Sequence, residues 1–297
     1  MILSREELIV KTFFKRNKLA FKLFILLFSI FILFGCNVKT AYNQLDWMIP
    51  WLINNFIPLN NEQYTLLDDQ LETILAWHRS TQIPVYVDTL RKIIYDVKYG
   101  LSNDNLEYVI NLFQIFKDDF IEYVQPEIVT FLETLTDAQI EILFHSFDKN
   151  NEEYKAEKVD PPDSEIRETI ADEMKENIQK IFGSITENQE RIIRNWSLQQ
   201  KLIGEEELAE KIAWQVLFKN TLDFRHNKYL FKEFFDFLLK SNDTVRPAAY
   251  QAKLDYNQEL MKEMLLLLDY SMTDEQRQFL INKMTKIADQ LEELIEE

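Results

Sequence analysis

The sequence predicts an all-α protein, a multi-helix bundle of about eight to ten amphipathic helices with room for two lobes. Three observations lead there. Glycine is scarce, at 4 of 297 residues, and only Gly100, Gly183 and Gly204 lie beyond residue 35. Sandwiches, Rossmann sheets and phosphate-cradling loops need more tight turns than that supply allows. Apolar residues recur at helical spacing through most of the chain, and one helix-start motif occurs four times. With 46% hydrophobic and 13% aromatic residues, the chain also carries enough apolar surface for a core, which argues against disorder.

The first element is an address. Met1 to Lys22 holds six basic and two acidic residues, and Leu23 to Phe34 is a twelve-residue apolar run broken only by Ser29. As a helix that run rises about 18 Å, short of the roughly 30 Å hydrocarbon core, so it reads as a signal-peptide core and not as a membrane span. It leads into Leu33-Phe34-Gly35-Cys36, which resembles the lipobox of bacterial lipoproteins, and Cys36 is the single cysteine of the chain. Cleavage before Cys36 and acylation of it are the expectation. Each buried methylene of an acyl chain contributes about 0.8 kcal/mol, so a multiply acylated cysteine anchors stably. Asn37 follows where an aspartate would resemble an inner-membrane retention signal, which places the expected anchor in the outer membrane, facing the periplasm. Without residues 1–35, 27 basic residues face 48 acidic ones, a net charge of −21. That balance argues against electrostatic binding of nucleic acid or of anionic lipid, both of which need a basic footprint.

The organisation expected is a signal peptide over 1–35, a lipidated N-terminus and aromatic tether over 36–58, and a helical domain over 59–297. The tether carries Tyr42, Trp47, Trp51 and Phe56 and is broken by Pro50 and Pro58, a composition suited to folding back onto the body. Leu66, Leu67, Leu71, Ile74, Leu75 and His78 share one helix face. Leu106, Val109, Ile110, Phe113, Phe116 and Phe120 share another, after a cap at Asn103 or Asp104. Pro84 and Pro126 are expected to kink or restart their helices. The most polar interval, Asp148 to Ser164, is the expected long loop, with a lobe boundary near 159–164. Further helices are expected over Ser164–Phe182, Glu187–Ile203, Glu205–Lys240 with a break near Arg225-His226-Asn227, Pro247–Tyr270 and Asp274–Glu296. Phe231, Phe234, Phe235 and Leu238 read as core.

The repeated motif is Leu59-Asn60-Asn61-Glu62-Gln63, Leu135-Thr136-Asp137-Ala138-Gln139, Ile185-Thr186-Glu187-Asn188-Gln189 and Met272-Thr273-Asp274-Glu275-Gln276. An apolar pair follows each Gln three and four residues on: Leu66 and Leu67, Ile142 and Leu143, Ile192 and Ile193, Phe279 and Leu280. The local physics is a capping box, in which the Thr or Asn oxygen accepts from the backbone N–H three residues on and the Gln side chain returns to the cap's own N–H. Spacings of 76, 50 and 87 residues rule out a regular solenoid.

These motifs look like the L-T-x-x-Q signature of the Spy and CpxP class of periplasmic proteins, helical proteins implicated in envelope stress and chaperoning. Asn60 in place of Thr, and Ile185 and Met272 in place of Leu, depart from it. The whole chain more closely resembles a family of gram-negative lipoproteins classed as a domain of unknown function. That resemblance is carried by the lipobox, by Tyr42-Asn43-Gln44-Leu45-Asp46-Trp47 with Ile49-Pro50-Trp51, by Ala76 through Pro84, and by Thr186-Glu187-Asn188-Gln189 leading to Ile193-Arg194-Asn195-Trp196. It brings no catalytic residues.

Nothing in the sequence assembles a reaction. His78, His145 and His226 lie far apart, without the i, i+4 spacing of paired metal ligands on a helix. No G-x-S-x-G and no glycine-rich phosphate loop occurs. The expectation is therefore no catalytic residue, no metal and no cofactor beyond lipid on Cys36. The densest mixed polar and aromatic cluster is Trp77-His78-Arg79 with Gln82, a candidate ligand surface that also reads as a packed helix corner. Arg191, Arg194 and Trp196 form a second candidate contact patch, and Trp47 of the tether a third. The expected role is a lipid-anchored, non-enzymatic binding or chaperone-like protein of the cell envelope. Its expected partners are the membrane, through the anchor, and unfolded polypeptide; the alternative is a structural adaptor.

Overall fold

Side chains of Asn60, Ser102, Thr136, Thr186 and Thr273 each close a helix start. The computed structural model describes residues 38–241 and 246–296, among which every regular element is helical. The expected signal peptide and Cys36 lie outside the described residues. Twelve α-helices follow in order: α1 (Val38–Tyr42), α2 (Leu45–Phe56), α3 (Asn61–Trp77), α4 (Ile83–Tyr99), α5 (Asn103–Glu133), α6 (Asp137–Lys158), α7 (Asp163–Phe182), α8 (Glu187–Gln199), α9 (Gly204–Leu222), α10 (Lys228–Ser241), α11 (Ala248–Tyr270) and α12 (Asp274–Ile295). A π-helical turn, His78–Gln82, joins α3 to α4 without interruption. Among the described residues no helix is long and apolar enough to cross a membrane.

All four repeated motifs start helices, α3, α6, α8 and α12, and each closes a complete capping box. A fifth box starts α5, where Ser102 is the cap and Asn105 closes it, one residue before the expected Asn103 or Asp104. Pro84, expected to kink or restart its helix, is accommodated without a break. It is the second residue of α4, and the Ile83 N–H reaches back five residues to the His78 carbonyl, so the π register absorbs the proline's missing donor. Pro126 does not end its helix: α5 continues for 31 residues, and the Pro126 carbonyl accepts from the Thr130 hydroxyl, 2.9 Å.

The expected loop over 148–164 is mostly helix. α6 runs on to Lys158, leaving only residues 159–162 as a connection. Polar composition misled the reading because this stretch is held by tertiary contact: Asn151 is buried and trades amide hydrogen bonds with Gln215 of α9, at 2.7 and 3.3 Å. The tether is not extended but forms α1 and α2. Val38 and Tyr42 are buried, and the Val38 N–H donates to Gln290 Oε1 on α12. Phe231, Phe235 and Leu238 are core as expected, whereas Phe234 is 38% exposed, because it packs on Phe224 outside the core.

Two large apolar clusters form the interior. The first gathers Leu67 and Leu71, Val129 to Leu135, Ile140 and Leu143, and then Phe218, Leu222 and Phe231 of α9 and α10. The second gathers Val97, α7, Ile193 and Trp196 of α8, Leu260 to Leu268 of α11, and Leu280 of α12. A cut at 159–164 does not part them, since α9 and α10 return to the first cluster. Each cluster surrounds two of the four motifs.

Candidate functional site

The motif glutamines meet in pairs. Gln63 and Gln139 exchange two amide hydrogen bonds, 3.1 and 2.7 Å, and Gln189 and Gln276 exchange two more, 2.8 and 2.9 Å. Each Oε1 also accepts from the N–H of its own cap, at 2.9–3.1 Å. Each Nε2 gives its second proton to the carbonyl two residues before the partner motif's cap: Thr134, Pro58, Ser271 and Ser184 respectively for Gln63, Gln139, Gln189 and Gln276. All four side chains are buried with their hydrogen-bonding capacity used. A capping box satisfies one helix; this arrangement welds two helix starts together. Gln63, Gln139, Gln189 and Gln276 are therefore architecture and present no face to a ligand, while their caps Asn60, Thr136, Thr186 and Thr273 sit nearer the surface with their side chains engaged in the boxes.

Two arginine clamps support the pairs. Arg225, in the expected break between α9 and α10, donates from Nε to the Leu135 carbonyl, 2.8 Å, from Nη1 to Leu222 O, 3.1 Å, and pairs with Asp137. Arg277 pairs with buried Asp269, 2.9 Å, and donates to the carbonyls of Asp269 and Val97. Asp269 in turn accepts the Leu101 N–H, 2.9 Å, beside Gly100, whose φ of 97° suits glycine.

The polar and aromatic cluster forms around the π-turn. His78 Nδ1 lies 3.1 Å from Tyr42 Oη, whose hydroxyl also reaches the Leu75 carbonyl at 3.2 Å. The imidazole stacks on Tyr42, with Tyr86 and Phe120 edge-on to it, while Trp77 stacks flat on Tyr123 at 3.8 Å. Burial lowers the His78 pKa to about 4 and raises that of Tyr42 to about 12; it raises Tyr86 further. The cluster is thus uncharged at physiological pH except for Arg79. The Arg79 guanidinium sits 5.5 Å above the Tyr42 ring, and its Nε is shielded from solvent without a hydrogen-bond partner. Beside it opens a small cleft of about 270 Å³ lined by Tyr42, Asn43, Asp46, Leu75 and Arg79. Asp46 is the lone carboxylate in that lining, so the cleft offers hydrogen bonds and one guanidinium but no acid–base pair. The π-turn places His78 against Tyr42, and the contact pins the tether to the body.

The DUF6279 profile, described as a family of unknown function, matches residues 55–251. The chain belongs to this family. No curated protein and no solved structure matches it. The DUF6279 match takes in the π-turn and three of the four motifs, and its boundaries leave out α1, most of α2, most of α11 and all of α12. In this DUF6279 chain the omitted parts complete the construction: α1 supplies Tyr42, and α12 supplies the partner of Gln189.

Of the candidate surface residues, Trp77, His78, Arg79 and Gln82 do come together on the π-turn. Gln82 is buried, which removes it from any surface. Trp196 is 4% exposed in the second core, because its helix turns that face toward α7 and α11, so it cannot contact a partner. Arg191 and Arg194 stay exposed on the opposite side of α8, and the three residues form no patch. Trp47 is exposed. Sequence reasoning missed the glutamine pairing, Tyr42 as the histidine's partner, and both arginine clamps, all of which join residues more than 30 positions apart or, at Asp269 and Arg277, close a turn between helices.

Proposed function

We propose that this is a non-enzymatic, lipid-anchored protein of the cell envelope that binds polypeptide through exposed apolar side chains. The observation that carries the reading is an aromatic cluster on the α9–α10 corner. Phe224 and Phe234 pack edge to face at 4.7 Å, and Phe237 stands one turn further along α10 with 62% of its surface exposed. Apolar side chains held in the open mark interaction sites in soluble proteins. The acidic balance of the chain favours basic clients through long-range attraction that salt screens. The lipobox-like Leu33-Phe34-Gly35-Cys36 supports acylation at Cys36, and Asn37 after it supports an outer-membrane, periplasm-facing location. The likeness of the four motifs to the Spy and CpxP signature is consistent with envelope chaperoning, although their glutamines are spent on helix-start pairs. A structural adaptor is the second reading, favoured by that rigid cross-bracing.

The test is light scattering of one denatured basic and one acidic client, at low and physiological salt, with and without the mature protein. Nucleotide-independent suppression, stronger for the basic client and weakened by salt, is expected. Phe234→Asp with Phe237→Asp should abolish it at unchanged helical content. No suppression of either client at several-fold molar excess refutes the chaperone reading and leaves the adaptor.

A further inference from the structure

The tether helix α2 carries an apolar face that no other element among the described residues covers. Trp47, Trp51, Leu52 and Phe56 are each 40–55% exposed, while Ile49 and Ile53, on the opposite side, pack against the first core. Charge is missing here as well. From Trp47 to Asn61 the chain runs fifteen residues without a charged side chain, in a protein of net charge −17. The net negative charge opposes contact with an anionic bilayer, and past Asp46 at its first turn α2 adds no charge to that opposition.

Chain length says what lies next to it. α1 is bolted to α12 by Val38 N–H to Gln290 and by the Lys39–Glu293 ion pair at 3.3 Å. One residue, Asn37, separates Val38 from Cys36, so the cysteine Cα lies within about 8 Å of the Val38 Cα by covalent geometry. From Val38, α1 and the following turn allow at most about 20 Å to Trp47. An acyl chain on Cys36 therefore brings the bilayer to the body with no spacer, beside a helix rich in tryptophan. Tryptophan favours the water–lipid boundary, where its ring is buried and its N–H stays wet.

We infer that α2 is an interfacial membrane-docking helix, with Trp47, Trp51, Leu52 and Phe56 seated in the headgroup region of the bilayer that holds the Cys36 lipid. The inference rests on the acylation of Cys36 proposed above. Lipid and helix together act as two anchoring signals and orient the body, so that α2 lies against the membrane and the rest of the acidic surface is held off it.

The lipidated chain, purified from membranes and reconstituted into phosphatidylethanolamine–phosphatidylglycerol vesicles with shallow doxyl-labelled lipid, tests this. Two of the five tryptophans lie on α2, so quenching should remove up to about two-fifths of the emission. Trp47→Phe with Trp51→Phe should lose that quenching while the protein stays on the vesicles. Intact mass of the N-terminal peptide reads acylation independently. Acylated protein with unquenched Trp47 and Trp51 overturns the docking helix alone, and a benzophenone at Leu52 that then crosslinks to a second copy or another polypeptide identifies what covers the face instead. A Cys36 without acyl mass overturns both the anchor and this inference.

Discussion

The glutamine pairs make a quantitative claim that a double-mutant cycle decides. Gln276→Met keeps the length of the side chain and removes its amide. The Thr273 N–H then loses its acceptor and the Ser184 carbonyl a donor in a part-buried setting, and Gln189 Nε2 and Oε1 each lose a partner in a buried one. Unsatisfied buried groups cost about 1–3 kcal/mol each when partners cannot be replaced by water, and partial compensation brings the expected single-variant loss to about 2–4 kcal/mol. Gln189→Met should cost a similar amount. In the double variant the two amide–amide bonds have already gone, and at about 0.5–1.5 kcal/mol per net hydrogen bond the coupling should be about 1–3 kcal/mol. Gln63 and Gln276 share no hydrogen-bond partner and sit beside different cores, so that cross-pair cycle should be additive within about 0.5 kcal/mol. Urea unfolding of the mature chain, with m held common across the set, measures all of these. Additivity within Gln189–Gln276, or coupling between the pairs as large as within them, would refute the welded helix starts.

Two further outcomes are expected. Thr136→Ala, Thr186→Ala and Thr273→Ala should each destabilise by about 1 kcal/mol in the same urea assay, and changes near zero at all three would mean the caps contribute nothing. His78 has a pKa near 4 when folded against a model value of 6.5, so the unfolded chain binds the extra proton between those values. Its contribution is complete above about pH 6.5 and is lost as pH falls toward 4, by up to about 3 kcal/mol. Comparing the wild type with His78→Gln from pH 7 to 4 isolates it from the carboxylates; a stability gap that does not narrow on acidification would show that His78 is not held neutral.

Local physics made much of the architecture readable. Scarce glycine and helical spacing are properties of short windows, and they point to an all-helical chain whatever the windows later pack against. The capping boxes are readable for the same reason, since cap and glutamine are three residues apart: Thr136, Thr186, Thr273 and Asn60 all start the helices their motifs announce. Even the break at Arg225 shows in the local pattern. What failed was polarity taken as a loop signal over 148–158, where the deciding contact, Asn151 with Gln215, comes from 64 residues away.

Pairing was beyond the sequence by itself. Two boxes with identical local chemistry combine in three ways among four motifs, and nothing within any motif selects Gln63 with Gln139 or Gln189 with Gln276. Tertiary packing selects them, by bringing α3 against the α5–α6 corner and α8 against the α11–α12 corner, so that each spare amide proton meets a carbonyl of the partner corner. The same holds for the cluster around His78. Its aromatic neighbours were visible along the chain, but only the docking of α1 brings Tyr42 onto the imidazole, and burial among Tyr42, Tyr86 and Phe120 lowers the histidine's pKa. Sequence determines which helices form and where they begin, because those terms are settled within a turn or two of chain; which helix starts are joined, and which aromatic faces remain open, depends on long-range packing that no local window contains.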